Sequence, residues 1–256
     1  MRRSKVLAKW REGKFARFCG MGHVLPFFVK HAAHQGYDGI WLDLEHRAMG
    51  TREVQMILAL SHQFDIDCMV RPPTTERTRV YRYLEDGAAG FMIPFVSTPE
   101  IAKEIVRTTK FPPVGNRGLD GAGMDCHFAL DAGPSFTDDA NRETFIVAQI
   151  ETPDAVKNAG AIAAVEGIDL LFVGPGDLGL RLGVEKSEMS LDEAVQEVAS
   201  AAKANGKAWG RTAGSVEELE RFVGMGAQML PWGGDWALTK VLEQSGVELN
   251  EILGEG

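Results

Sequence analysis

Short apolar runs bounded by turn residues alternate along this chain with longer segments whose apolar positions recur at helical spacing, and eight such pairs can be counted. The strand candidates are Ala16–Met21, Gly39–Leu44, Asp67–Arg71, Gly90–Phe95, Thr144–Ile150, Asp169–Val173, Lys207–Arg211 and Gln228–Pro231. The helix candidates lie near Pro26–Gln35, Thr51–Phe64, Thr75–Glu85, Thr98–Thr109, Thr152–Ala164, Ser190–Asn205, Ser215–Val223 and Asp235–Gln244. Several open with N-cap chemistry: Thr98 before Pro99, Thr152 before Pro153, and Ser215 with Glu218 three residues on. Eight strand-helix units in this order predict an α/β fold, a single (β/α)8 TIM barrel filling residues 1–256. An open doubly wound sheet is the alternative, weakened because no Gly-x-Gly-x-x-Gly turn follows the first strand. The irregular stretch from Phe111 to Arg142, rich in Gly, Pro and Asp, reads as a long functional loop, because the strand-helix rhythm resumes after it unchanged.

At 256 residues and 45% hydrophobic content the chain can bury a substantial core. A net charge of −9 argues against nucleic acid or an anionic membrane as the main partner, since both reward clustered Lys and Arg. No apolar run is long enough to span a bilayer and the N-terminus lacks the apolar stretch of a secretion signal, so a cytoplasmic location is expected. Cys19, Cys68 and Cys126 are widely spaced and odd in number, which predicts reduced, buried thiols.

In a parallel barrel, side chains just past the strand ends share one mouth. Glu151 closes the fifth strand candidate, and Asp177 follows the sixth through the tight Gly174-Pro175-Gly176 turn. If those strands are neighbours, the two carboxylates face each other across open positions, a donor set suited to a hard divalent cation. Glycine at 174 and 176 lets backbone N–H groups approach an anion at the start of a short helix. The second strand ends in Asp43, Glu45, His46 and Arg47, where His46 is the natural general base. Asp43 and Glu45 either orient it or cap the next helix. Arg71 precedes Pro72 and Pro73, which stiffen the departing chain and fix where the guanidinium points, toward an oxyanion or toward a structural ion pair. Glu85 and Asp86 precede the fourth strand, where one of them reaches His46 at a subunit or barrel edge or both form a solvated helix end. Arg117, in the long loop, closes over a ligand or pins the loop by pairing with an acidic neighbour.

These residues resemble the HpcH/HpaI aldolases, class II metal-dependent pyruvate aldolases of the phosphoenolpyruvate/pyruvate superfamily. The likeness covers nearly the whole chain, roughly from Lys5 to Thr239, and rests on five linked motifs: Asp43-Leu44-Glu45-His46, Val70-Arg71-Pro72, Pro112 to Gly118, Gln149-Ile150-Glu151-Thr152, and Gly174-Pro175-Gly176-Asp177-Leu178. The resemblance implies a homohexamer whose last helix is exchanged between subunits. It also implies Mg²⁺, Mn²⁺ or Co²⁺ on Glu151 and Asp177, with pyruvate oxygens completing the shell. It makes Arg71 the stabiliser of the enolate oxygen, His46 the base at the C4 hydroxyl, Gln149 a pyruvate contact, and the amides around Gly174 and Gly176 a carboxylate cradle. Arg117 falls in the family's loop motif, and Glu85 aligns with the acidic partner of the catalytic histidine, with Asp86 one position later. The chain departs from the pattern at Arg47-Ala48-Met49, where Gly-Pro is common, and at Asp120 to Asp125, both where an aldehyde would sit.

The implied reaction cleaves a 4-hydroxy-2-oxo acid, reversibly, to pyruvate and an aldehyde, with a Lewis acid and a fixed arginine absorbing the enolate charge. No lysine sits at the end of a predicted strand in this mouth, which disfavours a Schiff base. Two rivals are a CoA-thioester lyase of the malyl-CoA type, which would need a basic nucleotide surface, and a non-catalytic barrel that captures a keto acid.

Overall fold

The structure is a computed structural model, and it describes residues 1–254. After a short first helix, α1 (Lys5–Arg11), strand and helix alternate: β1 (Phe18–Met21), α2 (Pro26–His34), β2 (Gly39–Asp43), α3 (Thr51–Gln63), β3 (Asp67–Arg71), α4 (Arg77–Glu85), β4 (Gly90–Ile93) and α5 (Pro99–Thr109). The second half holds α6 (Phe136–Glu143), β5 (Phe145–Ile150), α7 (Pro153–Lys157), α8 (Ala159–Ala163), β6 (Leu170–Val173), α9 (Pro175–Val184), α10 (Leu191–Ala204), β7 (Ala208–Arg211), α11 (Val216–Gly224) and α12 (Ala237–Leu253).

All seven strands pair in parallel and in chain order, forming one curled sheet consistent with a TIM-like barrel. β3 to β7 are buried at every position, as a sheet covered on both faces requires. The expected eighth strand, Gln228–Pro231, is present only as isolated bridges from Met229 to Ala16 and to Gly210. Its backbone nonetheless bonds both ways: Gln228 N donates to Trp209 O at 2.9 Å, and Ala16 N donates to Gln228 O at 2.9 Å. Pro231 has no N–H to give, and Gly233-Gly234 follow at once, so no regular ladder develops.

Phe18, Met69, Met92, Phe145, Phe172 and Met229 fill the interior of the curled sheet, and a second apolar layer lies between the strands and the outer helices. α1 plugs the floor. Val6, Leu7 and Trp10 join the interior cluster, with the Trp10 ring 5.3 Å from Phe145, and buried Asp67 accepts from Ser4 Oγ (2.6 Å) and Val6 N (3.0 Å). The segment read as a long loop carries a 3-10 turn at Met124–Cys126 and α6, and buries Phe111, Cys126 and Phe136 in a cluster of its own. It joins the end of α5 to the start of β5, so it lies on the floor side, opposite the strand ends. All three cysteines are free and buried. No helix among the described residues is long and apolar enough to cross a membrane.

Candidate active site

The strand register assembles the mouth. β2 and β3 pair Asp43 with Arg71 at their last positions, while β5 and β6 pair Ile150 with Val173, so Glu151 and Gly174 emerge side by side. The two strands carrying the expected cation ligands are therefore adjacent.

Glu151 is buried, 3% exposed, at a seam between elements. Its Oε1 accepts from Phe95 N at 2.8 Å and its Oε2 from Gln149 Nε2 at 2.7 Å. Phe95 holds the left-handed conformation, φ 53°, which is costly for a bulky residue and aims its amide at the carboxylate. Burial pushes the Glu151 carboxyl up to about 7, and the Glu45 and Asp177 carboxylates add to the rise, against the Phe95 amide and Arg71. Like charges gathered around a desolvated carboxylate are what a cation relieves. Gln149 Oε1 is buried with no partner, a free hard donor beside Glu151. Gly174 leaves this space open: a Cβ there would stand 2.6 Å from Glu151 Oε2 and 2.9 Å from Gln149 Nε2. Gly176 meets nothing within 4 Å, and Asp177 occupies the first turn of α9. Among the described residues no group of three or more His, Cys, Asp or Glu is placed to hold a metal ion. A cation here would take two carboxylates, the Gln149 oxygen, and water or substrate, which fits an octahedral hard ion that keeps open positions.

Arg71 is fixed more firmly than the two prolines alone predict. Its Nε donates to Asp43 Oδ1 at 3.0 Å, Nη2 pairs with Asp43 Oδ2 at 2.8 Å, Nη1 with Glu45 Oε2 at 3.1 Å, and the guanidinium lies 4.8 Å from the Trp41 ring. Burial alone would raise the Asp43 carboxyl, but the Arg71 hydrogen bonds and charge outweigh it and hold it below the ordinary carboxylate range. Asp43 Oδ1 also accepts from the amides of Glu45 (3.1 Å) and His46 (3.3 Å), shaping the turn that presents the histidine. His46 is exposed, with Nε2 3.6 Å from Glu45 Oε2.

A cleft of about 580 Å³ opens beside Asp43 and Arg71, walled by Trp41, Arg47, Trp232 and Trp236 and by the glycine-rich turn between them. Lys240, on α12, also lines it, away from any strand end.

The family model for HpcH/HpaI aldolase/citrate lyase matches residues 24–240. The chain belongs to that family. It is 35% identical to the 4-hydroxy-2-oxovalerate aldolase of Novosphingobium aromaticivorans over 84% of this chain and 81% of the relative. It is 31% identical to a hydroxypyruvate/pyruvate aldolase of Delftia acidovorans over 86% and 82%. The solved HpcH/HpaI aldolase of Desulfitobacterium hafniense superposes with a TM-score of 0.84 at 33% identity, covering 94% of this chain and 95% of that one. These relatives are named as aldolases, carbon-carbon lyases.

Two expected site residues of this HpcH/HpaI family member lie elsewhere in the chain. Glu85 ends α4 on the floor side, beside Arg82 at 3.9 Å, and the long loop reaches it, with Gly123 packed on its backbone. Burial raises its carboxyl, opposed by Arg117 and Arg82. Arg117 is buried in an ion pair with Asp125, Nη2 to Oδ2 2.6 Å, and stacks 4.6 Å from the Phe111 ring. Asp86 bonds Gln55 at 2.8 Å. Within one chain the acid beside His46 is thus Glu45, and helix polarity explains why: helices run opposite to the strands, so α4 ends on the side where strands begin. Local sequence pattern does not reveal the grip of Asp43 and Glu45 on Arg71, because it depends on the β2–β3 strand register.

Proposed function

We propose that this chain is a class II, divalent-metal-dependent aldolase that cleaves a 4-hydroxy-2-oxo acid, reversibly, to pyruvate and an aldehyde. The observation that carries the reading is the Glu151 carboxylate, raised by its burial and further by the Glu45 and Asp177 charges, beside an unpartnered amide oxygen and within the field of a fixed arginine. His46 takes the proton from the C4 hydroxyl, directly or through a water, as the C3–C4 bond breaks and its electron pair moves into the enolate of the pyruvate half. Glu45 stands where it stabilises the resulting imidazolium. A divalent cation held by Glu151 and Asp177, with Mg²⁺, Mn²⁺ and Co²⁺ as candidates, supplies Lewis-acid charge to that half when bound. Arg71, held by two carboxylates, needs no reorganisation to meet the developing oxyanion. Gln149 and the amides at Gly174 and Gly176 orient the pyruvate carboxylate. Return of the proton from the His46 imidazolium, through water, to the enolate carbon then yields pyruvate and restores the base.

The assembly reading follows from α12 and from the floor. None of the residues of α12 is buried, and Leu238, Val241, Leu242, Leu249, Ile252 and Leu253 are exposed on one side of it, an apolar face that a neighbouring subunit would cover. A homohexamer that exchanges this helix would also let Glu85, at the end of α4, serve a neighbour's mouth, whereas Arg117 stays engaged by Asp125. The eighth barrel position is filled by Gln228–Pro231, closing one single-domain, cytoplasmic barrel. The test is pyruvate release from a panel of 4-hydroxy-2-oxo acids, followed with lactate dehydrogenase after chelation and with Mn²⁺ or Mg²⁺ restored. Turnover that returns with the metal is expected, and undiminished cleavage by the chelated protein refutes the scheme.

A further inference from the structure

We propose that Arg181 is a positioning residue of the cation site: lying over the Phe95 ring, it clasps the segment that holds Glu151 to the helix that carries Asp177, an inference that rests on the aldolase reading above. Sheet order puts β5 between β4 and β6. Glu151, at the β5 tip, is therefore flanked on one side by the chain leaving β4 and on the other by α9, which follows β6. Phe95 belongs to the first of these and Arg181 to the second. The Arg181 guanidinium lies 5.2 Å from the Phe95 ring, so the contact joins the two elements that flank the β5 tip. On α9, Arg181 stands four residues after Asp177, a spacing that sets both side chains on one face of the helix.

Past Phe95 the segment is tied to the end of β5 and the turn after it. Buried Val96 donates its N–H to Gln149 O at 3.2 Å, Ser97 Oγ lies 2.9 Å from Thr152 Oγ1, and Asn158 Nδ2 donates to Ser97 O at 2.8 Å. Phe95 itself is held differently. It gives its amide to Glu151 Oε1 at 2.8 Å while in the left-handed conformation, which a bulky residue keeps only where its surroundings impose it. Its ring is nonetheless 38% exposed, with the Arg181 guanidinium over it. Among the described residues Arg181 makes no ion pair and its buried Nε has no partner, so no carboxylate competes with the ring for the guanidinium. The sign of the effect separates a clasp from a bare charge. A positive charge near the site repels a cation, so its removal would tighten binding, whereas loss of a clasp frees Phe95, loosens Glu151 and weakens binding.

The test measures Mn²⁺ affinity by titration calorimetry, with the melting temperature in chelator as the control for folding. Arg181→Ala and Arg181→Met should raise the dissociation constant about three- to tenfold, the range that one cation–π contact spans, and Arg181→Lys should recover part of the loss. Phe95→Leu keeps apolar bulk but removes the aromatic face, and should cost a similar factor. Combining Arg181→Ala with Phe95→Leu should be no worse than the poorer single variant, as residues acting through one contact require. The melting temperature without cation should stay near that of wild type, because neither side chain is fully buried; a merely structural residue would instead lower it and leave the affinity unchanged. At saturating Mn²⁺, kcat for pyruvate release should return to within about twofold of wild type, since only the hold on the cation has changed. Unchanged affinity in both single variants, tighter binding in Arg181→Ala, or additive losses in the combined variant overturns the clasp and leaves the cation site standing. Wild type that binds no Mn²⁺ overturns the cation reading, and the clasp with it.

Discussion

Replacing Asp43 with Asn isolates what the Arg71 clamp is worth. In the wild type, one carboxylate takes two guanidinium nitrogens at 3.0 and 2.8 Å, and Glu45 takes the third at 3.1 Å. Asparagine keeps the shape and one acceptor, but it loses the charge and turns an amide N–H₂ toward an arginine donor. The pair is only partly screened, with side-chain exposures of 10% for Arg71 and 16% for Asp43. Charged hydrogen bonds contribute about 1.5–3 kcal/mol, and Glu45 remains, so a loss of about 2 kcal/mol is reasonable. At about 1.36 kcal/mol per decade that is about thirtyfold in rate. The effect belongs in kcat, because the oxyanion that Arg71 meets carries full charge only as the bond breaks. Steady-state pyruvate release coupled to lactate dehydrogenase reads it directly, and the rise in melting temperature on adding Mn²⁺ should persist because Glu151 and Asp177 are untouched. A kcat within threefold of wild type, or a loss confined to KM, would show that the clamp does not serve the reaction.

Glu151→Gln and Asp177→Asn should each abolish turnover and the melting-temperature rise with Mn²⁺; either variant retaining both removes that residue from the cation site. With the Glu151 carboxyl near 7, proton and cation compete for it, and the ionised fraction climbs from about one-eleventh at pH 6 to ten-elevenths at pH 8. Cation affinity measured by calorimetry should therefore rise about tenfold across that window, and a flat profile would contradict the raised carboxyl. His46→Ala should keep the cation response while turnover falls by about a hundredfold or more, as loss of a general base predicts; near-normal rates would move that role elsewhere. Gly174→Ala, whose Cβ would crowd Glu151 Oε2, should weaken cation binding at least tenfold, whereas Gly179→Ala on the same helix meets nothing within 4 Å and should not.

Much of this architecture is legible before folding because a strand covered on both faces must be apolar throughout and a helix packed on one face must be periodic. That logic placed β2 to β7 within a residue or two. It failed for α1, whose seven residues are too few to establish a period and whose apolar side chains serve the barrel floor. It failed for α6, which is embedded in Gly- and Asp-rich sequence, and it merged α7 with α8, which part at Asn158, whose side chain bonds Ser97 O at 2.8 Å. The placement of residues 151 and 177 past strand ends is readable because Glu151 closes an apolar run broken only by Gln149 and Asp177 follows another through Gly174-Pro175-Gly176. The Arg71 clamp is not, because its partner Asp43 stands 28 residues away in sequence and is brought beside it by the β2–β3 register. For Arg117, nothing local distinguishes a side chain that closes on a ligand from one sunk against Asp125.

The curled sheet separates two duties around its rim. The Gln149–Glu151 cluster stands at the tips of β5 and β6, while the cleft is built from the tips of β1 to β3 and from the turn at residues 231–236. On the proposed reading, exchanging that turn would alter which molecules the cleft admits and would leave the β5 and β6 tips untouched. Such a scaffold can drift between diets without relearning its chemistry, and a designer could retarget it by grafting one short stretch of chain.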